Sequence, residues 1–165
     1  MLAIFLLVVG VLSRILMHEP NFTPVIALAL FGGMYLKKEQ ALWMPLTLMM
    51  LSDLALGLHA VIPFTWGSVL LISLLGRRER ERRNAGWMVG LSIVSAVLFF
   101  AVTKFGAWLV MYPKTVEGFV QCYVMAIPFF RSTLLSAVLY SSVLFGVYEL
   151  VARWVKETKL AWIAG

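Results

Sequence analysis

Cysteine is almost missing from this sequence. The one present, Cys122, excludes an internal disulfide and any CxxC-type metal cluster. Histidine occurs only at His18 and His59, and there are 8 acidic residues. No nucleophile motif, metal triad or redox pair can be assembled from these, so the chain is not expected to be an enzyme and names no cofactor. Charge of either sign is scarce, at 13% of residues. There is no low-complexity segment, no linker and no internal repeat. What the sequence has in excess is apolar surface. Hydrophobic residues make up 62%, with a mean hydropathy of +0.92, against ~45–50% apolar in soluble domains. This composition predicts an all-α integral membrane protein, one domain over residues 1–165, with the lipid bilayer as its surroundings. The net charge of +6 is better explained by membrane topology than by nucleic acid.

The chain divides into six apolar stretches: Leu2–Met17, Pro24–Leu36, Ala41–Leu58, Pro63–Gly76, Ala85–Met111 and Pro128–Val155. The first resembles the core of a signal peptide but lacks a basic n-region and a small-x-small cleavage site, so it is read as a span. Ten of the 14 Lys and Arg lie between the second and third stretches, between the fourth and fifth, or at and after the end of the sixth. With six spans these fall on one face. The positive-inside rule makes that face cytoplasmic, with both termini inside. The mixed-charge run RRERERRN reads as a solvated loop there. A six-helix bundle in the bacterial inner membrane is the expected architecture.

The second stretch is too short for the ~20 residues that a crossing needs, and so is the fourth. The loops before them, His18–Thr23 and His59–Ile62, are therefore expected to be drawn inward from the outer face. In His18-Glu19-Pro20-Asn21-Phe22-Thr23-Pro24 two prolines remove two donors and push Glu19 and Thr23 out of helical geometry. Irregular backbone at membrane depth must be buried in protein or line a wet cavity. Thr23 is placed to cap the second helix, with Asn21 beside it and His18 turned toward Asp53. Asp53 and Arg131 lie at similar depth in the third and sixth stretches. A buried charge is costly unless paired or hydrated, so the two are expected to form an ion pair or to share a pocket. Tyr112–Ile127 reads as an outer loop with helical turns over Val116–Ala126. It would carry Tyr123 and Cys122 as a lid, Cys122 being able to ligate a soft metal such as cobalt. Ala29 and Gly33 give a small-xxx-small face, suited to packing inside the bundle or to docking onto a separate membrane subunit.

Three segments carry a resemblance. HEPNFTPVIALALFGGMYL, PLTLMMLSDLALGLH and AVTKFGAWLVMYPKTVEGFVQCYVMAIPFFRSTLLS resemble an uncharacterised family of small bacterial six-helix membrane proteins. Its pattern runs H-x-P-N-F-T-P, L-F-G-G, S-D-x-x-x-G-x-H, Y-P-x-T-x-x-G and C-Y-x-x-x-I-P-F-F. Lys104 departs from it, standing where the family usually has asparagine. In size and span number the chain is similar to the S-components of energy-coupling-factor vitamin transporters and to the solitary cobalamin transporters related to them. That resemblance implies an outward pocket using an early histidine, an aspartate near the third helix and an arginine near the sixth. His18, Asp53 and Arg131 fall in that order, although Cys122 lies closer to the arginine than a cobalt-binding cysteine would. The implied function is binding and uptake of a small vitamin- or cofactor-like solute, through contacts from His18, Asn21, Asp53, His59, Tyr123 and Arg131. The competing reading is a non-catalytic accessory subunit of a larger membrane complex, for example an energy-transducing or photosynthetic one.

Overall fold

A computed structural model describes residues 2–16, 21–82 and 84–164, and side chains as far as residue 155. It contains α1 (Leu2–Leu16), α2 (Val25–Tyr35), α3 (Lys38–Leu56), α4 (Ile62–Arg78), α5 (Ala85–Met111) and α6 (Val116–Ala164). No strand occurs among the described residues. Two of these helices, α5 and the Val116–Val155 part of α6, are long and apolar enough to cross a membrane, while α1 and α2 are apolar but shorter. Of the six expected spans, these two have the length and apolarity of a crossing helix. At ~1.5 Å per residue, α1 and α2 reach only about 22 and 16 Å. α3 and α4 are diluted by polar residues such as Glu39, Asp53, Ser68 and Ser73.

α2 is the axis of the fold. Every residue from Val25 to Met34 is buried, as a helix with apolar residues on all sides requires. The other helices stand around it in the order α1, α3, α4, α5, α6, each touching the next and all of them touching α2. Among the described residues α1 and α6 do not meet, so the ring is open on that side. At the other end of α2, Phe31 and Tyr35 pack their rings against Phe145 and Tyr148 of α6.

The α2–α4 crossing is set by backbone contact. A Cβ on Gly33 would overlap the Ser73 carbonyl oxygen, and one on Gly76 would overlap the Leu30 carbonyl oxygen. The glycines thus lie reciprocally, each under the other helix's main chain, the close approach that small residues permit. Ser73 on α4 in turn donates its hydroxyl to the Ala41 carbonyl of α3. The small face at Ala29 and Gly33 is therefore buried inside the chain, with Gly33 occupied by α4.

The Tyr112–Ile127 connection differs from the expected lid. α6 begins at Val116, and Pro128 lies within it. The reason is local. Thr115 accepts from the Gly118 amide through its hydroxyl at 3.1 Å and from the Phe119 amide through its carbonyl at 3.0 Å, so it caps the helix. A proline inside a helix removes one hydrogen bond, a loss that the long α5–α6 packing offsets. Only Tyr112–Thr115 remains as a turn, steadied by the Trp108 indole donating to the Pro113 carbonyl.

Gly33→Val and Gly76→Val should each lower stability by at least about 1–3 kcal/mol through overpacking. Gly90→Ala has nothing within 4 Å of the added Cβ and should be neutral or mildly stabilising. Thermal unfolding of the three variants in one detergent checks this. Equal melting of all three would mean that α2 and α4 do not cross so closely.

Candidate functional site

Because α2 starts only at Val25, the ring helices extend beyond its N-terminal end and leave space on the axis. A cavity of about 500 Å³ occupies it. Its floor is Val25 and Ile26, and α5 contributes residues from Phe99 to Met111 along one wall. Phe129, Phe130, Thr133 and Ser136 come from α6, Leu56 and His59 from the α3 end, and Val61 and Thr65 from the start of α4. Asn21 and Thr23 close the rim. They are anchored to α6 by the Ser136 hydroxyl donating to the Asn21 carbonyl at 3.4 Å and by Phe22 lying 5.7 Å from the Tyr140 ring. Asn21 has φ 60, a left-handed conformation that asparagine tolerates better than most residues.

Thr23 does not cap α2. Pro24 takes the N-cap position and no side chain caps the helix, so Thr23 lies one residue too early and lines the cavity. The positive end of the α2 dipole is thus at the cavity floor.

The charged group beside the cavity is Arg14 with Asp53. Arg14 lines the cavity and its guanidinium lies 2.8 Å from Asp53 Oδ1, with side chains 16% and 2% exposed. The Trp66 indole donates to Asp53 Oδ2 at 2.8 Å. Arg14 also reaches the Ser52 hydroxyl and the Met49 sulfur, each at 2.9 Å. Asp53 therefore has a charged partner on one oxygen and a neutral donor on the other, as a buried carboxylate needs. The partner expected for it, Arg131, is exposed on α6 and does not line the cavity. Arg14 is better placed because α1 packs directly along α3, whereas α6 does not touch α3 among the described residues.

The remaining expected contacts separate in the same way. His59 and Asn21 line the cavity, Asp53 stands behind Arg14, and His18 lies outside the described residues. Tyr123 does not line it. Its hydroxyl donates to the Ala101 carbonyl at 2.9 Å, and its ring leans on Phe100, which does line the cavity. Cys122 is buried in the α5–α6 contact, its thiol 3.5 Å from the Lys104 carbonyl. Among the described residues no three His, Cys, Asp or Glu side chains are grouped as a metal site. Cys122 thus packs within a helix pair and does not sit on a movable lid.

Sequence reasoning passed over Arg14, Lys104, Thr65, Thr103 and Thr133, all in the lining. Arg14 gave a signal: it is an arginine inside an apolar run and had to find a partner.

Residues 1–160 match a single protein family. The chain belongs to DUF6580, a family of unknown function. No curated protein and no solved structure matches it. The match is consistent with the resemblance to an uncharacterised family, and the likeness to S-components is not carried by any match. The cavity of this DUF6580 member is lined by Asn21 and Thr23, by Leu56 and His59, by Thr103 and Lys104 and by Phe129, Phe130 and Thr133, so parts of the motif-bearing stretches converge on it.

Asp53→Asn should leave the Arg14 charge uncompensated and cost about 3–5 kcal/mol. Arg131→Gln, an exposed change, should stay within about 0.5 kcal/mol. Combining Asp53→Asn with Arg14→Met should recover much of the loss. Chemical or thermal unfolding of the four proteins checks the pairing, and a large loss from Arg131→Gln would refute it.

Proposed function

We propose that this protein is a six-helix bundle of the inner membrane that binds a small solute in its axial cavity and carries it inward. The observation that supports this reading is the position of the cavity. It lies at the end of the bundle opposite Lys37, Lys38, the Arg77–Arg82 segment and Arg153. With those basic residues cytoplasmic, the cavity opens outward. Side chains such as Phe5, Leu12, Leu54, Val124 and Leu135 point away from the core, which suits a helix ring surrounded by lipid. The cavity is mostly apolar with a few convergent polar groups, the usual composition of a small-molecule site. In size, span number and an outward pocket the proposed bundle is like an S-component, although the residues around the pocket differ from that pattern at Arg131 and Cys122.

An accessory role in a larger complex is the second reading. α6 runs on from Tyr148, its last ring packed against α2, to Ala164, about 24 Å of further helix that a partner could engage. Stability and solute content of the isolated monomer separate the two readings. A solute binder should remain folded and loaded alone.

Two outcomes test the proposal. In a Cys122→Ala background, Arg80→Cys should label only from the cytoplasm and Thr115→Cys only from outside; labelling from the same side would rule out the six-span topology. Mass spectrometry of small molecules retained by the purified protein should find a species absent from Ala107→Trp, whose indole would fill the cavity. Identical contents in two equally folded proteins would count against a solute site.

A further inference from the structure

We propose that the solute is an organic anion with an apolar, ring-bearing body, and that Lys104 is the residue that selects its charge. This inference rests on the cavity being a solute site. Lys104 lies seven positions before the end of α5 at Met111, about 10 Å down the helix. It is half-buried and lines the cavity. The ion pairs among the described residues are Arg14–Asp53 and Arg78–Glu79, and neither involves Lys104. No carboxylate lines the cavity among the described residues. Of the two cations that do line it, Arg14 is already neutralised by Asp53 at 2.8 Å. Among the described residues the charge left over is that of Lys104. Between low-dielectric walls such a charge attracts an anion more strongly than it would in bulk water.

The other polar groups leave that role to Lys104. Thr65, Thr103 and Thr133 donate their hydroxyls to carbonyls of their own helices, those of Ile62, Phe99 and Phe129. They turn lone pairs, not donors, toward a ligand. His59 and Asn21 supply neutral donors at the rim. The rings of Phe99, Phe100, Phe129 and Phe130 supply the apolar wall, with Phe100 and Phe130 at 4.7 Å between centroids. A flat hydrophobic body with one negative group matches this division. A cation or a sugar would leave either the charge or the rings without a counterpart.

The test uses the protein in nanodiscs of zwitterionic lipid and two probes of nearly equal shape, naphthalene-2-carboxylate and naphthalene-2-carboxamide, measured by equilibrium dialysis. Wild type should bind the carboxylate at least about tenfold more tightly than the amide. Lys104→Gln should abolish that preference, while Lys104→Arg should keep it. Equal affinity of wild type for both probes overturns the inference, as does a preference that survives in a folded Lys104→Gln. If Lys104→Gln does not fold, the wild-type pair and Lys104→Arg decide the matter. Binding of neither probe overturns it as well, and the comparison with Ala107→Trp then shows whether the solute site falls with it.

Discussion

The length of α2 governs the rest of this structure. Eleven residues, Val25–Tyr35, form a helix that is apolar on every side and buried from Val25 to Met34. Such a segment can be stable only if other helices enclose it. Five do, and because they outlast it at its N-terminal end they enclose space there as well. Core and cavity are thus two parts of one axis, filled by α2 below and open above. The depth of α2 is fixed by main-chain contact, since Gly33 and Gly76 leave the α2–α4 crossing no freedom for a side chain between the backbones.

The electrostatics follow from the same arrangement. Helices around a buried axis bring few charged groups inside, and each one brought in must be compensated. Asp53 and Arg14 compensate each other, and Trp66 takes the remaining carboxylate oxygen. This pair also ties α1, at one end of the open ring, to α3, and through Trp66 to α4. Lys104 lines the cavity and takes no part in that pair, and under the proposal above its charge selects the solute.

The sequence by itself determined the all-helical class, the six helical segments and most of their limits. Hydropathy, prolines and basic loops are local signals, and local signals suffice for elements. It also marked HEPNFTP and SDLALGLH as places where polar residues interrupt apolar ones, and Asn21, Thr23 and His59 from them line the cavity. The small face at Ala29 and Gly33 was legible as a close-packing surface for the same reason. Only the tertiary structure decided who meets whom. Arg131 was the expected partner of Asp53, and spacing along the chain could not show that Arg14 takes that place. The ring order does, by placing α1 against α3 and turning Arg131 outward. Pro128 likewise read as a helix start because proline is a local breaker, whereas the Thr115 cap and the packing of α5 on α6 carry the helix through it. Pairing and continuity depend on contacts distant in sequence, and these exist only once the helices have closed around α2.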